Sequence, residues 1–344
     1  MDFVKEKVLF LKRKMKEFKN IYIDITNTCN AKCPFCITGK HKPAIKKYIE
    51  PEVFDNILIS LIRNKSIVES SVIYLYNWGE PFLHPKLSEL ISILNKHNLQ
   101  FGLSTNGSIE FNFPDNFCKN LVFFKFSLSG FSQNSYNKIH GFNFEKTLLN
   151  IERIIKNIQN ENPQTYIELN FHIYQFNISE IEACRDFAKK IKVHFYPCLA
   201  ILNDWDNLNL YMGGELPYND LLEVSQKLLM YNFNDLLKAS PSDYKCPQYD
   251  LLVIDESANI SGCCQLPKDN KEYSCGNILT DDWNTILKNK TSMMVCRNCI
   301  KSGLAYYIHN SMLSIDFSKD DFLEKTTTID LMKIIANRFK RKLF

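Results

Sequence analysis

The chain has 344 residues, 45% of them hydrophobic and 23% charged, which suits a globular protein of about two domains. A formal net charge of +4 is too small to demand nucleic acid as a partner, and no apolar stretch reaches the length of a transmembrane span. Twelve cysteines are too sparse for a disulfide scaffold and too clustered to be core filler alone.

Residues 2–19 read as a basic helix, with Phe3, Val8, Leu11, Met15 and Phe18 along one face and Lys5, Lys12, Arg13, Lys16 and Lys19 opposite. This charged run has no signal-peptide core, and free thiols suit a reducing cytosol, so a cytoplasmic protein is expected. A short strand follows at 21–26. The loop leaving it, Cys29-Asn30-Ala31-Lys32-Cys33-Pro34-Phe35-Cys36, crowds three thiols into eight residues. Such crowding points to a shared metal centre. A structural zinc site closes with four protein ligands, and the nearest further candidate, His41, lies in a polar Lys/Pro-rich loop. An iron–sulfur cluster held by three thiolates instead keeps one iron open to a small molecule.

Pro51 opens a helix that buries Val53, Phe54, Ile57, Leu58, Leu61 and Ile62. Further strands are expected at 72–76, 100–104, 122–128, 165–173 and 192–196, and further helices at 85–97, 144–160 and 179–190. This alternation predicts a parallel sheet of βαβ units. The polar motifs fall at the C-terminal ends of successive strands: the cysteine loop, Gly79-Glu80-Pro81, Ser104 to Gly107, and Ser127 to Gly130. Ligands bind at that edge in such sheets. Cys118 and Cys184 read as core, Cys198 as following the sixth strand, and His172 as structural.

Residues 201–245, with Trp205 and a helix expected at about 218–231, form a connection placed to cap the strand ends. Asp204, Asp206, Tyr211 and Glu215 are its candidate substrate contacts. Cys246 then precedes an apolar strand, Leu251–Ile254, a turn, and Cys263-Cys264. Cys275-Gly276-Asn277-Ile278, a helix carrying Trp283, and Cys296-x2-Cys299 complete a second cysteine constellation, for which zinc fits as well as iron–sulfur on spacing alone. Residues 329–344 read as a basic amphipathic helix, the basis for expecting a weak membrane-surface contact.

Cys-x3-Cys-x2-Cys with an aromatic residue before the last cysteine resembles the signature of the radical S-adenosylmethionine (SAM) enzymes. The resemblance implies an α/β fold, a partial (β/α)6 TIM-like barrel, in which Cys29, Cys33 and Cys36 hold a 4Fe–4S cluster and Phe35 lies beside the adenine of SAM. One-electron reduction of that cluster cleaves SAM to methionine and a 5′-deoxyadenosyl radical, which abstracts a hydrogen atom. Gly79, Glu80 and Pro81 match the family's motif at the SAM amino group, with Trp78 in place of its first glycine. Asn106, Ser127 and Ser129 resemble the residues that hold the ribose and carboxylate. The later cysteines look like the SPASM/twitch extension, a small C-terminal β-hairpin/helix domain. The twitch form fits the cysteine count and implies an auxiliary 4Fe–4S cluster on Cys246, Cys264, Cys296 and Cys299. Cys263 is the runner-up for Cys264, and Cys275 is a spare.

The implied organisation is an N-terminal basic helix (1–19), a barrel (20–200), a capping connection (201–245), the auxiliary domain (246–310) and a basic tail (311–344). The expected activity is oxidation or epimerisation of a small molecule such as a sugar, nucleotide-sugar or aminocyclitol. Its electron comes from a low-potential donor such as flavodoxin or ferredoxin. The short segment before the first strand leaves no room for a separate leader-peptide-binding domain, which makes maturation of a ribosomal peptide the second choice. A zinc-binding interaction protein without catalysis is the alternative from another class.

Overall fold

The computed structural model describes residues 16–201, 205–215, 240–268 and 270–311. Six strands run parallel, each hydrogen-bonded to the next: β1 (Asn20–Ile23), β2 (Val72–Tyr74), β3 (Gln100–Thr105), β4 (Leu121–Leu128), β5 (Tyr166–Ile173) and β6 (His194–Leu199). The connections carry α1 (Ile37–Lys40), α2 (Pro51–Arg63), α3 (Leu87–Lys96), α4 (Gln133–Lys138), α5 (Phe144–Glu161) and α6 (Ile181–Lys190). The expected alternation breaks once. No helix joins β3 to β4; that connection instead packs Phe111, Phe113 and Phe117 against one another, with Phe111 stacked on Phe82.

The helices form where the apolar spacing requires them. Pro51 sits at the first position of α2, where its missing N–H costs nothing. Phe54, Ile57, Leu58 and Leu61 lie on one stripe and are fully buried. Leu87, Leu90, Ile91 and Leu94 of α3 do the same, as do Ile151, Ile154, Ile155 and Ile158 of α5. Each such side chain contributes about 1.5–3 kcal/mol on leaving water. The Asn143 side chain caps α5 by accepting from the Lys146 N–H. Cys118 and Cys184 belong to this core. Ile62, expected on the buried face, is exposed at the rim of α2.

Beyond the barrel, α7 (Trp205–Gly213) precedes β7 (Leu251–Ile254), β8 (Asn259–Ser261) and β9 (Ser274–Asn277), followed by α8 (Trp283–Ser292), α9 (Met294–Lys301) and α10 (Leu304–Ser311). β7 pairs parallel with β1, and β8 and β9 continue antiparallel, so one open sheet runs β6-β5-β4-β3-β2-β1-β7-β8-β9. The sheet is a partial barrel that does not close.

Two local expectations are corrected. The segment from Lys16 to Lys19 is not helical: Phe18 is core, its N–H donates to the Ser66 carbonyl, and Lys16 donates to the Tyr249 carbonyl beside Asp250. β6 extends through Pro197 to Leu199, which places Cys198 within the strand. Because β6 is the edge of the sheet, the missing Pro197 N–H is tolerated there. The rest of the N-terminal helix, the helix at 218–231 and the tail at 329–344 lie outside the described residues. No helix among the described residues is long and apolar enough to cross a membrane.

Candidate active site

The cysteine loop leaves β1 between fixed backbone segments. Thr26 bridges to Tyr48, and its hydroxyl donates to the Lys47 carbonyl at 2.9 Å. The Asn27 amide spans Ile45 and Lys47. Lys42 donates to the carbonyls of Cys29 and Ala31, and the Cys36 N–H donates to the Cys33 carbonyl. Any side chain at Gly39 would collide with the Cys33 carbonyl oxygen, so the chain turns tightly under the loop. Cys29, Cys33 and Cys36 thereby line one cavity of about 580 Å³, with Phe35 beside them. Burial and neighbouring negative charge oppose ionisation of all three thiols; for Cys29, burial and then the Glu80 carboxylate push it up to about 11. Thiolates become favourable here only beside a cationic centre, which is what bound iron supplies.

The β2 loop is fixed from beneath. The Asp24 carboxylate accepts from the N–H groups of Trp78 (2.8 Å) and Gly79 (3.0 Å), and the Glu80 N–H donates to the Thr28 carbonyl. A side chain at Gly79 would strike the Thr26 carbonyl oxygen, so only glycine fits. Trp78, in the position of the expected glycine, is buried and lines the cavity, and its indole N–H donates to the Leu266 carbonyl, tying the barrel to the hairpin.

Glu80 borders the cavity and is buried. Its carboxylate accepts from the Phe82 N–H, the Thr105 hydroxyl (2.8 Å) and the Asn106 N–H (2.9 Å). Both oxygens are thus engaged by neighbouring loops. Burial pushes this carboxyl up to about 7 against the pull of those three donors. Pro81 opens a single 3₁₀ turn and is buried outside the cavity lining.

Asn106 links two loops. Its amide donates to Asn30 Oδ1 at 3.0 Å, and its oxygen accepts from Ser108, an Asx turn. Ser127 lines the cavity. Ser129 is fully buried outside the lining, and its hydroxyl has no partner among the described residues.

Sequence reading does not reach the interior of the barrel. Lys125 and Glu168 are register partners on β4 and β5, and both line the cavity with Asn170, Tyr196 and Cys198. The Lys125 ammonium lies 4.8 Å over the Tyr76 ring. Beneath them the side chains of Tyr22, Tyr74, Phe123, Tyr166 and His194 stack or meet edge-on from strand to strand. The signal was available in β4 and β5: Phe124, Phe126, Leu169 and Phe171 alternate with Lys125, Ser127, Glu168 and Asn170. His172 also lines the cavity, as does His140, which burial holds down to about 3 and whose Nδ1 has no partner among the described residues. That ring is therefore neutral at ordinary pH and open to a donor.

The second constellation also gathers. Cys246, Cys263, Cys296 and Cys299 line a small apolar cavity of about 40 Å³ beneath Trp205, the last two cysteines one helical turn apart on α9. Cys264 is outside that lining, with its thiol 3.2 Å from Gln248 Oε1. Cys275 is buried against Met293. Among the described residues no three His, Cys, Asp or Glu side chains converge on a point that would hold a single metal ion. In the connection, the Trp205 indole donates to the Tyr273 hydroxyl and Glu215 is exposed; Asp204 and the side chains of Asp206 and Tyr211 lie outside the described residues.

A buried ion network underlies both constellations. Lys268 sits 2.6 Å from Asp24 and 2.9 Å from Glu256 and donates to the Thr26 carbonyl. It joins the hairpin to the loop that carries Gly79 and Glu80.

The family model described as the radical SAM superfamily matches residues 23–204. The chain is 25% identical over 227 residues to a probable GTP 3′,8-cyclase of Methanocaldococcus jannaschii, covering 63% of this chain and 71% of that protein. Its fold is similar to that of Streptococcus suis SuiB bound to S-adenosylmethionine, with TM-score 0.54, 14% identity and coverage of 89% of this chain and 76% of that one. It is also similar to native anSMEcpe with bound AdoMet, with TM-score 0.53, 14% identity and coverage of 93% and 95%. With the family match spanning more than half of its length and the fold agreeing, the chain belongs to the radical SAM superfamily.

Proposed function

We propose that this enzyme acts on a small polar molecule held in the barrel lumen, giving net oxidation or epimerisation. The observation that carries the reading is a single cavity bordered by Cys29, Cys33 and Cys36 at its rim and by Lys125, Glu168 and Asn170 within. Cys29, Cys33 and Cys36 would hold the 4Fe–4S cluster; Phe35, Gly79, Glu80, Asn106 and Ser127, which line the cavity, are the proposed SAM contacts, with Pro81 and Ser129 proposed to support them from behind the lining. When bound and reduced, the cluster with SAM supplies a 5′-deoxyadenosyl radical that removes a hydrogen atom from an unactivated C–H bond.

The chain's own residues do the positioning. Asp24 holds the β2 loop, Glu80 fixes the end of β3 against it, and the stacked aromatic rings tie neighbouring barrel strands together. In the cavity lining, His140 Nδ1 has no partner among the described residues and offers unused hydrogen-bonding capacity. Lys125 and Glu168 give the lumen an amine and a carboxyl group, burial lowering the pKa of the one and raising that of the other, which suits a substrate with hydroxyl, amine or anionic groups: a sugar, nucleotide-sugar or aminocyclitol. A flavodoxin- or ferredoxin-like donor is the proposed electron source. A peptide substrate is the second reading; the SuiB fold resembled here has also been captured bound to precursor peptide SuiA.

Protein prepared without oxygen should form 5′-deoxyadenosine from SAM and dithionite. Candidate substrates carrying deuterium at the reacting carbon should pass it into that product. Zinc in both cysteine sites, with no SAM cleavage, would return the protein to the class of zinc-binding interaction proteins. Deuterium arriving from a peptide alone would favour the second reading.

For the auxiliary site we propose a 4Fe–4S cluster on Cys246, Cys296, Cys299 and one of the adjacent pair, Cys264 or Cys263, the cavity lining supporting Cys263. The double variant Cys296→Ala/Cys299→Ala is expected to lose about four iron atoms per chain. Full iron content in that variant would refute the assignment.

A further inference from the structure

Lys290 lies on α8 and is 1% exposed. Its ammonium donates to the Gly262 carbonyl at 2.6 Å and to the Gln248 carbonyl at 3.2 Å. Gly262 directly precedes Cys263, and Gln248 follows Cys246 by two residues, so the ammonium is clasped by the backbone of two cysteine-bearing segments. Its charge acts on Cys246, Cys263, Cys275 and Cys296. Among the described residues no carboxylate forms an ion pair with it. The contrast with Lys268 is direct, because that partly buried lysine sits between two carboxylates.

A buried ammonium without a counter-ion is costly, and backbone carbonyls relieve only part of that cost. Were stapling two segments its whole purpose, a neutral amide would serve without burying charge. Burial works against the charge of this ammonium; thiolates bound to a metal centre beside it would supply the matching negative charge.

Resting on the auxiliary-cluster reading above, we propose that Lys290 is the buried cation that makes a four-thiolate iron–sulfur centre at Cys246, Cys296, Cys299 and their partner easier to reduce. Such a centre is net-negative and becomes one unit more negative on taking up an electron, with no bond made or broken. A fixed cation in a water-poor setting therefore stabilises the reduced state more than the oxidised one. Lys290 is a tuning residue, acting through the centre and touching no substrate.

The test uses the full-length chain with Cys29, Cys33 and Cys36 all replaced by alanine, so that only the second constellation can hold iron. It is loaded without oxygen and titrated with dithionite, the electron source, while the reduced centre is followed by electron paramagnetic resonance. With Lys290→Met or Lys290→Gln, four irons should remain, and the reduced-to-oxidised ratio at a fixed potential should fall roughly tenfold, equivalent to about 59 mV for one electron. Lys290→Arg should stay near the parent. Loss of iron from both neutral variants with retention in Lys290→Arg would show that the charge holds the centre in place rather than setting its potential, and would overturn the proposal. Unchanged potentials in iron-loaded neutral variants, or loss of iron from all three, would reduce Lys290 to a structural staple and overturn the proposal. Failure of the parent triple-alanine chain to bind iron would instead overturn the auxiliary-cluster reading itself.

Discussion

Replacing Cys33 by alanine should leave the protein folded, lower its iron by about four atoms per chain, and cut 5′-deoxyadenosine formation by on the order of a thousandfold or more. The fold should survive because the loop is shaped by its backbone. The Cys33 carbonyl receives the Cys36 N–H, Lys42 holds two further carbonyls, and Gly39 lets the chain pass beneath. None of these contacts uses the thiol. The loss should be near-total because the two remaining thiolates would leave the cluster one protein ligand short and poorly held. Cys29→Ala and Cys36→Ala should behave alike, since all three sulfurs border the same cavity. Iron assay and chromatography of the nucleoside product check this, and a Cys33→Ala protein with full iron and undiminished SAM cleavage would sink the site assignment.

Lys268→Met should destabilise the metal-free, thiol-reduced protein by about 3–5 kcal/mol in urea unfolding, because it strands Asp24 and Glu256 without their shared cation. The damage should spread to the site, since Asp24 also anchors the N–H groups of Trp78 and Gly79. Adding Glu256→Gln to Lys268→Met should recover part of the loss by removing one of the stranded charges. The pH dependence has a definite sign. Burial already pushes the Glu256 carboxyl upward, opposed by Lys268; without the lysine it rises further and the native state takes up the proton more readily. The deficit of the variant should therefore shrink as pH is lowered. A variant as stable as the parent at neutral pH would show that the network contributes little.

The six barrel strands and their polar ends are legible in the sequence because apolar runs alternate with amphipathic helices and each run ends in turn-forming residues. β7 is legible for the same reason, Leu251–Ile254 being apolar and bounded by Asp250 and Asp255. The end of β6 is not, because Pro197 reads as a breaker unless the strand is known to lie at an edge. The β3–β4 connection misleads in the other direction: a compact phenylalanine cluster does there what a helix does elsewhere. Asp24 and Lys268 meet from opposite parts of the chain, and nothing local in either segment announces the pairing. Lys125 and Glu168 are legible in principle, as charges set mid-strand in an alternating pattern, once the opposite face is assigned to the helices. Glu80 shows what motif reading leaves out: its carboxylate borders the cavity, as the motif suggests, and also accepts from Thr105, Asn106 and Phe82, which ties neighbouring loops together.

The pairing of β7 with β1 has a consequence for how the chain is made. Ile21 lies opposite Leu252, so the outer edge of β1, made before the other strands of this sheet, waits about 230 residues for its neighbour. Until then its N–H and C=O groups on that side can template contact with any other extended chain. The hairpin that carries the later cysteines thus also acts as the seal on a nascent edge. Synthesis stalled before residue 251 should yield a barrel prone to sticking, even with every one of its own six strands in place.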